Sequence, residues 1–184
     1  MYLLNTYTIL SMQNKNQNKK DQGILLSLAP QDRHRLIGEI TSLLICSELH
    51  RKYLVNDIGA VFLPPINLDQ FRIYKLKEEP IALVTWAYLT EKTEKKYLKG
   101  DYSLTPEDWN AGDRGWIIDF LAPFGHAKHV TRDLKNNIFP DQVGKAIRMD
   151  VNGNVKGIYK LHGKNVAKEF KNKKKTPPLK CERN

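Results

Sequence analysis

The apolar positions at the start of the body recur at helical spacing. Leu36, Ile37, Ile40, Leu43 and Leu44 share one face, Arg33, Arg35 and Glu39 lie off it, and Pro30 stands where a helix tolerates a missing N–H. An amphipathic helix ending near Cys46 is predicted. The polar stretch SELHRKY then leads into LVNDIGAVFL, an apolar segment that its periodicity assigns to neither helix nor strand and that Pro64-Pro65 is expected to terminate. QFRIYKLK and IALVTWAYL are β-rich runs joined by the short polar EEP, which is the form of a hairpin.

TEKTEKKYLKG reads as a charged, exposed helix that stops at Gly100. Thr105-Pro106-Glu107-Asp108 supplies an N-cap, a first-turn proline and early acids for another short helix. GWIIDFLAPF is short and rich in Ile and aromatic residues, so a buried strand is expected. HAKHVTRDLKNNIF predicts a helix, and GKAIRMDV, an NGN turn and VKGIYKLHG predict a closing hairpin. The order is helix, two strands, helix, strand, helix, two strands. It implies one α/β (α+β) domain, a mixed sheet covered by helices.

Composition changes this picture little. The 184 residues, 41% of them hydrophobic, suffice for one core. No run approaches the roughly 20 apolar residues of a membrane-spanning helix. MYLLNTYTIL is a poor secretory signal, which predicts a cytoplasmic protein. Cys46 and Cys181 cannot form a disulfide framework, and Cys46 is expected to act as a small buried hydrophobe.

The formal charge of +10 suggests nucleic acid until it is located. Residues 164–184 carry eight Lys or Arg and two Glu, and residues 1–30 carry three Lys and one Asp. The body is therefore nearly neutral, which argues against a nucleic-acid groove. The expected organisation is a flexible leader (1–29), a domain (30–163) and a solvated basic tail (164–184).

Asp119 is the residue that demands an explanation, because an ionised carboxylate within GWIIDFLAPF resists burial unless it is partnered. Strand alternation puts it on one face with Ile117 and Leu121. It is either hydrogen-bonded to a turn or paired with Arg, or it holds a histidine. Among the histidines, His126 and His129 lack further ligands at metal spacing, His34 lies on the polar side of its helix, and His162 adjoins a hairpin glycine. His50 sits in a polar turn between apolar segments, where catalytic groups are displayed. A His–Asp pair would supply a base of fixed tautomer. Ser47, three residues earlier, permits an ester or thioester hydrolase as the alternative, although no G-x-S-x-G elbow is present.

From about Ile40 to Gly163 the blocks SELHRKY, FLPPI, TWAYLTEKTEKKYL, LTPEDWNAGDRGWIIDFLAPFG, FPDQVGKAIRMD and KLHGK follow one another in an order that resembles the RTX toxin-activating lysine acyltransferases. The long block is highly specific when combined with L-H-R upstream and A-I-R-x-D downstream. The resemblance implies a GNAT-like acyltransferase fold and a sheet that is mostly antiparallel. It implies transfer of a fatty acyl group from acyl carrier protein to internal lysines of an RTX protoxin, with no permanently bound cofactor and no metal.

Carried over residue by residue, it implies His50 and Asp119 as the catalytic pair, with His50 acting as general base or as acyl acceptor; Ser47 and Arg148 are the supporting candidates. The chain departs from the family pattern in reading S-E-L-H for S-P-L-H. It also lacks the Asn of the family's I-N-V-L-P, having Ala60-Val61-Phe62-Leu63-Pro64 there. Because acyl carrier proteins are acidic, Arg51, Lys52, Arg114, Arg148 and the tail are candidate contacts. The resemblance leaves a homodimer open.

Overall fold

The computed structural model describes residues 28–100 and 102–167. Nearly all of the expected leader and tail, and Cys181, lie outside the described residues. Five strands form one sheet in the order β1-β2-β3-β4-β5: β1 (Phe71–Leu76), β2 (Glu79–Leu89), β3 (Arg114–Leu121), β4 (Val143–Met149) and β5 (Val155–His162). The β3/β4 step is parallel and all others are antiparallel. This is the expected mixed, mostly antiparallel sheet flanked by helices, in a single domain.

Helix α1 (Pro30–Cys46) buries Leu36, Ile40, Leu43 and Leu44, as the spacing predicts. The segment after SELHRKY is helical, and the two prolines do not end it. An α-turn (Val55–Asp57), a π-helical turn (Ile58–Phe62) and a last α-turn (Leu63–Asn67) run on as α2. The wide π turn comes directly before the prolines, and Pro64 falls in the first turn of Leu63–Asn67, where its missing donor costs least. The β1/β2 hairpin turns on Lys77 and Glu78, both at positive φ (49° and 69°), which matches the right-handed twist of the flanking strands.

Helix α3 (Glu91–Tyr97) is capped by the Thr90 hydroxyl, which accepts from the Thr93 N–H. It is not the wholly exposed helix expected, because Thr93 and Glu94 are buried. Glu94 accepts from Trp116 Nε1 at 2.8 Å, Arg114 Nη1 at 2.9 Å and Lys145 Nζ at 2.6 Å. Burial alone would raise its pKa, yet these donors hold the carboxyl below the usual range. The TPED segment forms a short 3₁₀ turn (Pro106–Trp109) closed by a Thr105/Asp108 capping box. Helix α4 starts as Ala127–Asp133, continues as a π turn (Leu134–Ile138), and crosses from β3 to β4.

Three apolar clusters make the core. One joins α1 and α2 to Ile73, Leu83 and Leu121. A second puts Val130 and Leu134 of α4 against Val84, Trp86 and Ile117. The third gathers Ala87, Leu89, Trp109 and Trp116, with Tyr97 of α3 and Ile118 against them. Since Leu83 and Ala87 share a face of β2 with Thr85, the first and third clusters lie on one face and Thr85 falls between them. That polar gap between two apolar clusters is where the site is built.

Candidate active site

The His50 turn grows directly out of the end of α1. Ser47 caps the helix, its N–H donating to Leu44 O, and its carbonyl accepts from both His50 N and Arg51 N. The chain turns tightly through His50–Lys52, and Tyr53 N donates back to His50 O. In such a tight turn, side chains three apart point the same way. Ser47 Oγ therefore lies 2.7 Å from His50 Nδ1. His50 is buried, with 7% of its surface exposed.

Asp119 reaches the same place through an irregularity in β3. Val84 pairs with Phe120 but Trp86 pairs with Ile117, so Ile118 and Asp119 together oppose the single residue Thr85. Strict alternation thus fails: Ile117 packs on the α4 side of the sheet and Leu121 on the α1 side. Asp119 shares its face with Leu121 and not with Ile117. Its N–H, displaced from the ladder, donates to Thr85 Oγ1 at 3.1 Å, and its Oδ2 accepts from Thr85 Oγ1 at 3.2 Å. Oδ1 accepts from the Tyr53 hydroxyl at 3.4 Å and faces His50 Nε2 at 3.7 Å.

Burial disfavours charge on both members of the pair. It lowers the His50 pKa to about 4 and raises that of Asp119 to about 6, the Thr85 and Tyr53 hydrogen bonds pulling the latter back down. At neutral pH the imidazole is neutral and Asp119 is ionised. A carboxylate facing Nε2 favours the tautomer with its proton there, leaving Nδ1 as the free base on the Ser47 side. Tyr97 also feels Asp119, and burial above all pushes its hydroxyl up to about 12. The arrangement can take a proton at Nδ1 and stabilise the resulting cation through Nε2.

The sequence matches the RTX toxin acyltransferase family over residues 29–161. The chain belongs to that family. An uncharacterized protein of Synechocystis sp. is 40% identical over 121 residues, covering 65% of this chain and 82% of that one. RTX-I toxin-activating lysine-acyltransferase ApxIC of Actinobacillus pleuropneumoniae is 36% identical over 138 residues, 75% of this chain and 80% of its own. Protein-lysine myristoyltransferase HlyC of Escherichia coli is 35% identical over 138 residues, with 75% and 81% covered. The chain is thus an acyltransferase by family, as its sequence blocks led one to expect.

Of the residues singled out in the sequence, Ser47, His50 and Asp119 come together. Arg148 does not join them; it is exposed on β4, paired with Gly157 of β5. Arg114 is engaged by Glu91 and Glu94, whereas Arg51 and Lys52 are exposed beside His50. His34 and His129 are exposed, and His126 and His162 are half-buried away from the pair. Among the described residues no group of three or more His, Cys, Asp or Glu is placed to hold a metal, and no helix is long and apolar enough to cross a membrane. Cys46 is exposed rather than buried, because the last residues of α1 run past the cluster that covers its apolar face. Thr85 and Tyr53 were missed by sequence reasoning. A threonine inside the apolar run IALVTWAYL was the available signal for the first; nothing local pointed to the second.

Proposed function

We propose that this acyltransferase moves a fatty acyl group from acyl carrier protein to internal lysines of an RTX protoxin, with His50 as general base and Asp119 as its orienting carboxylate. The observation that carries the reading is the buried approach of His50 Nε2 to Asp119 Oδ1 at 3.7 Å. A thioester is already activated, so the demand falls on the acceptor, whose ordinary pKa of about 10.4 leaves it protonated and non-nucleophilic. The ammonium first loses one proton to solvent; as the neutral amine nitrogen then attacks the thioester carbonyl and the C–N bond forms, its second proton passes to His50 Nδ1. Asp119 stabilises the imidazolium, and collapse breaks the C–S bond, the thiolate recovering the proton from His50. General-base assistance of this kind contributes about 10²–10⁴-fold. The reading puts the reaction in the cytoplasm, with acyl carrier protein as donor and no resident cofactor.

The 2.7 Å contact between Ser47 Oγ and His50 Nδ1 favours a second reading, in which Ser47 is the nucleophile of a thioester or ester hydrolase. Co-expression with a candidate RTX protoxin, followed by mass spectrometry of its lysines, separates the two. The acyltransferase reading expects one fatty acyl mass on specific lysines, dependent on acyl carrier protein, His50 and Asp119. Release of free fatty acid without a protein acceptor, lost in Ser47→Ala, would establish the hydrolase instead.

A further inference from the structure

Both oxygens of the Asp119 carboxylate are held by neutral hydroxyls, one from β2 and one from the turn that carries His50. Thr85 comes from the neighbouring strand; its Oγ1 accepts from the Asp119 N–H and donates to Oδ2, so backbone and carboxylate are fixed by one fully buried side chain. Tyr53 comes from the turn that carries His50. Its ring meets the His50 ring edge-on at 5.5 Å, tilts against Phe62 at 6.3 Å, and its hydroxyl donates to Oδ1.

We propose that Tyr53 and Thr85 are positioning residues for acyl transfer, which brace the Asp119 carboxylate so that Oδ1 meets the imidazolium as it forms. The inference rests on His50 and Asp119 acting as the acid–base pair. One tight turn delivers the phenol and the imidazole to the same oxygen, at 3.4 and 3.7 Å. Neither contact is at full hydrogen-bond length, so Oδ1 can shorten toward whichever donor gains charge. When His50 takes a proton that donor is Nε2. Thr85 prevents the carboxylate from rotating away, because its grip on Oδ2 is independent of the turn. Without either hydroxyl, the bulged strand would leave a buried carboxylate oxygen bare.

The titratable groups that face Asp119 are His50 and Tyr53 from the turn and Tyr97 from α3, and Asp57 of α2 in turn faces Tyr53. Burial first, and Asp119 second, raise the Tyr53 pKa well above its ordinary value. Both phenols therefore stay protonated at neutral pH, and Tyr53 acts as a donor throughout the working range. Hydrogen bonds to an ionised carboxylate lower its pKa, so removing either hydroxyl must raise that of Asp119.

Tyr53→Phe keeps both ring contacts and removes only the hydroxyl; Thr85→Val keeps shape, and Thr85→Ser returns the donor. Two readouts are taken: the Asp119 carboxyl titration by carbon-13 NMR, and the pH profiles of kcat and KM for acyl transfer. Tyr53→Phe and Thr85→Val are expected to raise the Asp119 midpoint and the acid limb of kcat by about half to one pH unit. They should lower kcat about three- to thirtyfold with both KM values within about twofold of wild type, while Thr85→Ser stays close to wild type. Should Thr85→Val fail to fold, Tyr53→Phe carries the test. An unmoved midpoint and limb, or a raised KM with kcat unchanged, overturns the proposal. A wild-type protein that transfers no acyl group while the midpoint still shifts overturns the acyl-transfer reading, and with it the positioning role.

Discussion

His50 Nε2 stands 3.7 Å from Asp119 Oδ1, too far for a hydrogen bond and close enough for an ion pair once the ring is charged. The resting pair is therefore poised rather than locked, and protonation of the imidazole is what closes it. As pH falls through about 6, Asp119 becomes neutral and this closure is lost, whereas His50, with its pKa lowered to about 4, is still free to accept a proton. The acid limb of kcat/KM is thus expected near pH 6 and belongs to Asp119. Initial rates across about pH 3.5 to 8 check this. A limb near pH 4 would assign it to His50 alone.

Asp119 also sets a stability cost. Its folded-state pKa of about 6 lies above the ordinary aspartate value of 3.8, so the folded chain binds more protons in that window and stability falls as pH rises through it. Above pH 6 the buried charge costs up to about 3 kcal/mol. Asp119→Asn is expected to fold more stably at pH 7, by as much as that amount, while losing acyl transfer. His50 acts in the opposite sense, since its lowered pKa removes stability as pH falls from 6.5 toward about 4. The variant, left with His50 alone, should weaken on acidification more steeply than wild type. Urea melts at several pH values measure both effects, and an Asp119→Asn protein less stable than wild type at pH 7 would contradict them.

Ser47→Ala removes one hydrogen bond to a neutral imidazole, worth about 1 kcal/mol or roughly fivefold in rate. Lysine acylation should persist at that reduced level. Complete loss, with a covalent acyl-serine detectable in the wild-type protein, would move the chemistry onto Ser47.

Glu94 ties α3 to the parallel β3/β4 step, because Trp116 pairs with Lys145 there and both side chains donate to it. Glu94→Ala leaves the buried Trp116 Nε1 without an acceptor and Lys145 without this carboxylate, and Arg114 keeps only Glu91. Destabilisation of about 2–4 kcal/mol is expected in urea. A change below about 0.5 kcal/mol would mean that the cluster merely decorates the sheet.

Much of the fold was legible because the helical period of α1 agrees with its burial, and because the β-rich composition of the β1/β2 runs and of β3 matches the strands they form. Asp119 was legible for the opposite reason, as a carboxylate that contradicts its apolar neighbours. What escaped depends on partners distant in the chain. The bulge at Ile118 and Asp119 arises from the register against β2, so its loss of alternation, and the role of Thr85 beneath it, are invisible along β3 alone. Glu94 looked solvated because its three donors lie on β3 and β4. The helicity of residues 55–67 was hidden by a proline pair that the preceding π turn accommodates.

A double-mutant cycle on protoxin lysine acylation, with His50→Ala, Asp119→Asn and both together assayed by mass spectrometry, tests the catalytic pairing most directly. If the two residues act as one unit, each single change lowers the rate by about 10²-fold or more, and the double variant is no slower than His50→Ala. Losses that multiply, or an Asp119→Asn protein that acylates at the wild-type rate, would show that the imidazole works without this carboxylate.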